Sequence, residues 1–223
     1  MNISIIYEDS HILVCKKPAG FPVQTKQMGR PDCVSELRNY LYEKEKKEPY
    51  LGLVHRLDQP VQGLMVFAKN KKAAADLSGQ VTKHLLCKHY LAVVCGSLSA
   101  QKGTLTDYIV KDGRSNTSRI AKEGEKDAKE AILHYQIIAE KEGLALAEIE
   151  LVTGRHHQIR VQFAHAGLPL WGDVKYNPEF AEKRAMVALC AYQLGFTHPV
   201  TKKQMTYEMR PEGEVFQKLL PEA

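Results

Sequence analysis

Apolar and polar residues alternate in short blocks along the chain, and this pattern predicts a mixture of strands and helices. Short apolar runs bounded by turn residues, and apolar residues at every second position, are typical of β-strands. They predict strands at residues 3–7, 11–15, 64–68, 90–94, 131–138, 144–152, 186–196 and 205–209. The two strands on either side of residues 140–143 are predicted to pair antiparallel across that turn.

Apolar residues spaced three and four apart predict the helices. In the first, at residues 32–47, Asp32 suits the N-cap position and lysines occupy the last turn, as the helix dipole favours. Further helices are predicted at 71–85, 156–166 and 214–220, whereas the polar residues 99–129 are predicted to form strand ends and mobile loops. With no long linker or internal repeat, residues 1–223 are expected to form a single α+β domain with a mainly antiparallel sheet flanked by helices.

Composition limits the class of protein without indicating its chemistry. The chain has 223 residues, 44% of them hydrophobic and 26% charged, which fits a globular protein with a sizeable core. No apolar run approaches the roughly 20 residues of a membrane helix, so we expect no membrane association. The five cysteines include no C-x-x-C pair and follow no export signal, which indicates the reducing cytoplasm. A formal charge of +5 permits a polyanionic partner but does not require one.

The first segment that could carry chemistry is residues 53–58. Asp58 is predicted to lie in a loop between Gly52 and Pro60, just before a buried strand. A carboxylate held there by a rigid scaffold could act as a base or as a nucleophile. Alternatively, Asp58 could merely pair with Arg56 or cap a turn.

The second segment is residues 152–160, where a strand is predicted to end at Gly154 and a helix to begin. The free N–H groups at a helix N-terminus, together with Arg155 and Arg160, would suit a phosphate or carboxylate. The same residues would also fit a solvated face of a basic helix. His156 and His157 would point about 100° apart on a helix, with no acidic residue at ligand spacing, so no metal site is predicted.

The third segment is residues 88–93, which places Tyr90 at the start of a strand beside Lys88. A tyrosine in this position could stack on a nucleobase or use its hydroxyl group. It could equally be a half-buried strand tyrosine, which is the commoner role. By itself this segment decides nothing.

Taken in order, the three segments and their surroundings resemble the RluA-like family of RNA pseudouridine synthases. The resemblance is carried by Ile6-Tyr7-Glu8-Asp9, residues 14–20, His55-Arg56-Leu57-Asp58, Gly63-Leu64, residues 67–69 and 88–96, Thr153-Gly154-Arg155, His157-Gln158-Ile159-Arg160, Gly167, Pro169, Gly172-Asp173, Tyr176 and residues 196–199. An ordered series spread over most of the chain is highly specific. It implies a pseudouridine-synthase-like fold with a twisted, mainly antiparallel sheet and two lobes around a cleft.

The resemblance also implies an activity, the isomerisation of uridine to pseudouridine in ribosomal or transfer RNA, without a cofactor or metal. Residue by residue, it implies that Asp58 is the catalytic aspartate, Tyr90 the active-site tyrosine and Arg160 the basic residue that pairs with Asp58. Arg56 would enter the RNA as the target base leaves its stack. Whether the carboxylate attacks the anomeric carbon or removes a sugar proton stays open.

The distribution of charge predicts where RNA would lie. Residues 81–122 contain seven lysines and arginines against two aspartates, an excess equal to that of the whole chain. This basic stretch surrounds Tyr90 and is predicted to contact the RNA backbone. The predicted RNA-binding residues are Arg56, Arg155, His157, Lys88, Lys111, Arg114 and Arg119.

The chain departs from the family pattern at two places. After the aspartate the family commonly continues toward Thr-Ser-Gly, whereas this chain has Gln59-Pro60-Val61-Gln62-Gly63. Cys190 stands where the family frequently has a histidine. No S4-like domain is expected before Ile3, so target selection would depend on this domain or on a partner. We expect a monomer. The alternative function is a non-catalytic RNA-binding or RNA-folding protein on the same fold.

Overall fold

The computed structural model describes residues 3–27, 29–96 and 100–220 of the chain. In chain order its elements are β1 (Ser4–Glu8), β2 (Ile12–Lys17), α1 (Cys33–Glu45), β3 (Gly52–Leu53), β4 (Gln62–Ala68), α2 (Lys71–Thr82), β5 (Cys87–Cys95), β6 (Lys102–Asp112), β7 (Thr117–Ala121), β8 (Lys129–Lys141), β9 (Leu144–Leu151), α3 (Gln158–His165), β10 (Leu189–Thr197), β11 (Gln204–Glu208) and α4 (Glu214–Gln217). The chain divides into two units, one of residues 1–88 and 191–210, the other of residues 89–190 and 211–223.

Strand β4 is the centre of the first unit. Every one of its residues is buried, as expected for a strand covered on both faces. It pairs antiparallel with β2, which in turn pairs antiparallel with β1. Helix α1 begins at Asp32, whose side chain accepts a hydrogen bond from the Ser35 N–H at 2.8 Å. The predicted cap is therefore confirmed, and the helix buries Leu37 and Leu41 as its spacing indicates.

The second unit is built on the strand order β5-β9-β8-β6-β7, with every pair of neighbours antiparallel. Tyr90 lies opposite Ile149, and Ile149 lies opposite Tyr135, so the three side chains share one face of this sheet. Helix α3 packs on that face, where the rings of Phe163 and Tyr135 meet at 5.7 Å between centroids. Helix α3 and the Tyr90 side chain therefore lie on the same face of this sheet.

Two expectations about local structure are wrong. Residues 99–129 were expected to form strand ends and mobile loops, but β6 and β7 form a regular antiparallel hairpin. Its inward residues Ile109 and Ile120 pack with Ala131 and Val161, while polar side chains hide this alternation in the sequence. Helix α3 begins at residue 158 rather than 156, because His157 has a φ of 55°. As a consequence the rings of His156 and His157 do not diverge but stack, with centroids 3.8 Å apart.

The α+β class with a mainly antiparallel sheet is confirmed. The other predicted strands and helices are found within a few residues of their expected positions. That residues 1–223 act as one catalytic domain stays a prediction.

The first unit leaves no room for a side chain at Gly63, at the start of β4. Its φ is +146°, and a Cβ added there would lie 2.5 Å from the Cβ of Ala191 and 2.7 Å from its nitrogen. We expect Gly63→Ala to lower the free energy of unfolding by about 2 to 4 kcal/mol. Gly79 in α2 is the matched control, because a Cβ there meets nothing within 4 Å. Gly79→Ala should raise stability by roughly 0.5 to 1 kcal/mol. Denaturant titration measures both, and equal effects would contradict the expectation.

Candidate active site

Asp58 lies in the loop between β3 and β4, as the sequence predicts. Its carbonyl oxygen accepts a hydrogen bond from the Val61 N–H at 3.1 Å, which closes a turn directly after it. Leu57 is buried, Arg56 is exposed, and Asp58 is half-buried. The loop is therefore anchored by Leu57 and directs the Arg56 side chain to solvent.

His55 fixes the beginning of this loop from inside the unit. Its Nε2 accepts a hydrogen bond from the Val66 N–H of β4 at 3.1 Å, which assigns a neutral ring with the proton on Nδ1. Burial, with a smaller effect of the Lys88 charge, lowers the pKa of His55 to about 3. Within the described ranges the Nδ1 atom has no hydrogen-bond partner. The ring is thus neutral at physiological pH and joins the loop to β4.

Lys17 fixes the other end of the loop. Its side chain is 0% exposed, and Nζ donates to the carbonyl oxygens of Pro18, Phe21 and Gln59 at 2.9, 2.7 and 2.9 Å. These three bonds use all three ammonium protons. Burial lowers the pKa of Lys17 to about 8, and the neighbouring Cys33 and Asp58 counteract part of that shift. A buried ammonium therefore holds the backbone one residue after Asp58.

Sequence reasoning assigned no role to Lys17. Lys17 lies in residues 14–20, which contribute to the family resemblance. Its role in the loop depends on the hydrogen bond to Gln59, which is 42 residues further along the chain. The available signal was the second of two lysines that end a strand of apolar residues, just before a proline. Lysines are almost never fully buried unless their charge is satisfied, and here three carbonyl oxygens satisfy it.

In the second unit, Arg160 lies on α3 and is 2% exposed. Its Nε donates to Asp173 Oδ2 and its Nη2 donates to Oδ1, both at 2.7 Å. The guanidinium carbon also lies 5.1 Å from the centre of the Tyr176 ring. The site therefore contains a bidentate ion pair in a buried position. The predicted pairing of Arg160 with Asp58 stays a prediction.

A second network surrounds the start of α3. The Ser118 N–H donates to the Tyr176 hydroxyl at 2.6 Å, and the same hydroxyl is hydrogen-bonded to His157 Nδ1 at 2.7 Å. Burial, followed by the nearby charge of Arg160, lowers the pKa of His157 to about 2. A buried, neutral imidazole is a poor partner for phosphate. His157 is therefore less suited to a phosphate contact than its place in the sequence suggested, and its contact with RNA stays a prediction.

The other predicted site residues differ in exposure. Tyr90 is 6% exposed within β5. Lys88 is half-buried, and burial lowers its pKa, so it suits a phosphate contact less well than the sequence suggested. Arg155 is half-buried, and its Nε donates to the Glu130 carbonyl oxygen at 2.8 Å.

Three predicted RNA contacts lie on the β6–β7 hairpin, where Lys111, Arg114 and Arg119 are all exposed. Arg119 forms an ion pair with Glu125, which reduces the charge that it can offer to RNA. The sequence missed Lys175, which is exposed and donates through Nζ to the Asn116 carbonyl oxygen at 2.7 Å. The positive charges of Lys175 and Lys111 both act on the nearby His157. The basic surface of this unit therefore includes Lys175.

The described residues contain no group of three or more His, Cys, Asp or Glu side chains placed to hold a metal ion. Among the helices formed by these residues, none is long and apolar enough to span a membrane.

Comparison with known proteins defines the family. Residues 11–165 match the family model described as RNA pseudouridylate synthase. The chain is 36% identical over 209 residues to the uncharacterized RNA pseudouridine synthase YhcT of Bacillus subtilis, covering 93% of this chain and 68% of that protein. It is 33% identical over 220 residues to the ribosomal large subunit pseudouridine synthase D of Pasteurella multocida, covering 93% of this chain and 67% of that one.

A solved structure shares the fold. The human RNA pseudouridylate synthase domain containing 4 superimposes with a TM-score of 0.76 at 23% identity, covering 93% of this chain and 88% of that one. The chain belongs to the RNA pseudouridylate synthase family, and it is accordingly an isomerase that converts uridine in RNA to pseudouridine.

The neutral state of His55 makes stability depend on pH. An unfolded histidine binds a proton below a pKa of about 6.5, whereas folded His55 does so only near 3. Between these values the unfolded chain binds more protons, so the free energy of unfolding should fall on acidification, by up to about 1.4 kcal/mol per pH unit from this group. Denaturant titrations from pH 7 to 4.5 should show a shallower pH dependence for His55→Gln. His134→Gln, at an exposed histidine, is the control. Equal slopes for His55→Gln and wild type would contradict this account.

Proposed function

We propose that this enzyme isomerises uridines of ribosomal RNA and that Asp58 acts at the bond between ribose and uracil. The sequence leaves ribosomal and transfer RNA open as substrates. The name of the Pasteurella multocida relative, a ribosomal large subunit enzyme, favours ribosomal RNA. The observation that carries the role of Asp58 is the attachment of its loop at both ends, by His55 to β4 and by Lys17 to Gln59.

The chemistry explains why such a loop is useful. The reaction breaks the bond from C1′ to N1 of uracil and rejoins C1′ to C5. C5 loses a proton in this exchange and N1 gains one. Substrate and product are isomers, so no oxidant, reductant or added group is required. A carboxylate near C1′ can attack that carbon or take a sugar proton, and either role requires a fixed position. The buried ammonium of Lys17 and the neutral ring of His55 supply that rigidity.

Tyr90 and Arg160 complete the proposed catalytic set. Tyr90, nearly buried in β5, would stack on the uracil or assist removal of the C5 proton. Arg160 would pair with the Asp58 carboxylate and align it, because a guanidinium stays charged at every relevant pH.

The target uridine has to leave its stack, which costs a few kcal/mol, so favourable RNA contacts are needed. Arg56 is exposed two residues before Asp58 and is our choice for the residue that enters the RNA as the base leaves. On the second unit we assign backbone contacts to Lys111, Arg114 and Lys175, with smaller contributions from Arg119 and Arg155. Positive charge supports all of these assignments, and exposure supports those of Lys111, Arg114, Arg119 and Lys175.

Asp58→Asn tests the catalytic assignment, because an amide can neither attack C1′ nor remove a proton as a carboxylate does. We expect pseudouridine formation to fall by at least about a thousandfold, with little change in RNA affinity. The assay is release of tritium from ribosomal RNA labelled at uracil C5 and prepared from cells lacking the gene.

Asp127→Asn is the matched control. Asp127 is exposed and has a φ of 63°, a backbone conformation that asparagine also tolerates. Full activity of Asp58→Asn would refute the role of Asp58. RNA binding by the wild type without any tritium release would instead favour the non-catalytic alternative.

Charge reversal tests the RNA surface. Lys111→Glu and Arg114→Glu should each weaken RNA binding and lower the slope of log affinity against log salt by about one. Arg119→Glu should have a smaller effect, because Glu125 already neutralises much of that charge. Lys46→Glu, at an exposed lysine of the first unit, is the control. Filter binding at several salt concentrations measures all four, and equal affinities would remove the hairpin from the proposed surface.

A further inference from the structure

The carboxylate of Asp173 is fixed by the backbone that follows it. Its side chain is 1% exposed, and Oδ1 accepts the N–H groups of Lys175 and Tyr176 at 3.0 and 3.3 Å. Gly172 makes the turn possible, because its φ is +73° and an added Cβ would lie 2.3 Å from the Met186 carbonyl oxygen. The position of the carboxylate is therefore set before any contact with Arg160 is considered.

We infer that Asp173 is a positioning residue for pseudouridine formation, which holds the guanidinium of Arg160 in one orientation by two parallel hydrogen bonds. This inference rests on the proposed function, since it assumes that Arg160 takes part in the reaction. Asp173 touches neither substrate nor reacting atoms in this role.

The geometry of the pair explains how Asp173 would act. A guanidinium has five N–H groups in one plane, and the two bonds from Nε and Nη2 to Asp173 fix that plane. Three N–H groups, on Nη1 and Nη2, are then directed away from Asp173. Tyr176 covers one face of the plane, with its ring centre 5.1 Å from the guanidinium carbon. A flexible side chain is thereby restricted to one direction before RNA binds.

The free energy of the pair supports a geometric role. The attraction within a buried ion pair is largely offset by the loss of hydration, so such pairs add little net stability compared with apolar residues. A carboxylate beside Arg160 also reduces the net charge of the site. What the pair adds is a fixed orientation for a cation that is 2% exposed.

Asp173→Asn is the central variant. Asparagine keeps the shape of the side chain, but its NH2 group would face an N–H donor of Arg160, so the second of the two parallel bonds is lost. We expect kcat to fall roughly 10- to 100-fold, with KM for ribosomal RNA within about twofold. Glu179→Gln is the control, because Glu179 forms an exposed ion pair with Lys183 in the same unit. It should leave both constants unchanged.

A double-mutant cycle separates positioning from stability. If Asp173 acts through Arg160, Asp173→Asn should lower kcat less in an Arg160→Lys background than in the wild type, since lysine has no two-pronged donor. The same loss in both backgrounds would overturn the inference. Asp173→Glu guards against misfolding of the asparagine variant. It keeps the charge and should fold, yet it should lower kcat because the longer side chain displaces the carboxylate.

A nitrogen NMR measurement tests the contact without activity. The Nε–H signal of Arg160 should exchange slowly with water in the wild type and in Glu179→Gln, and rapidly in Asp173→Asn. Rapid exchange in Asp173→Asn with unchanged kcat would overturn the positioning role. Absence of conversion by the wild type would overturn the proposed function and with it this role, while the NMR signal would still report on the contact itself. The two failures are thus distinguishable.

Discussion

The Asp58 loop depends on a buried positive charge. The side chain of Lys17 is fully buried, and three backbone carbonyl oxygens take the place of a hydration shell around its ammonium. One of the three belongs to Gln59, directly after Asp58, and the others to Pro18 and Phe21. Moving the loop would leave a buried charge with one partner fewer, which is costly. The position of Asp58 is therefore coupled to the folding of the first unit rather than to local features of the loop.

The second unit solves the same problem differently. Arg160 is also cationic and nearly buried, but its partner is a carboxylate rather than a set of carbonyl oxygens. Backbone carbonyl oxygens are uncharged, so they orient the ammonium of Lys17 without neutralising it. Asp173, by contrast, both neutralises the charge of Arg160 and fixes the plane of its guanidinium. The two histidines, His55 and His157, complete the comparison. His55 accepts a hydrogen bond from the Val66 N–H and His157 is hydrogen-bonded to the Tyr176 hydroxyl, and burial favours the neutral form of both rings.

Sequence patterns predicted the parts of the fold that are apolar and local. Residues 64–68 are uniformly apolar and form the last five residues of β4, and Asp32 caps α1 as its position suggests. The β6–β7 hairpin was not predicted, because its polar, half-exposed residues mask the alternation of apolar and polar positions that is typical of a strand. The start of α3 was misplaced because a histidine with positive φ carries no signal of the kind that glycine or asparagine gives. Long-range partners, such as Lys17 with Gln59 or Arg160 with Asp173, require the fold itself.

Charge illustrates the same limit for function. The excess of positive charge in residues 81–122 suggested a basic surface around Tyr90. A count of charges along the chain, however, cannot distinguish an exposed cation from a paired or buried one. Lys88 is half-buried, and Arg119 is paired with Glu125, three residues beyond the end of that stretch. Lys175, far outside it, is exposed and acts on His157 together with Lys111. The positive surface is therefore smaller than the count implies. It is also assembled from two distant segments, because the hairpin and the turn after Asp173 meet at Asn116 and Lys175.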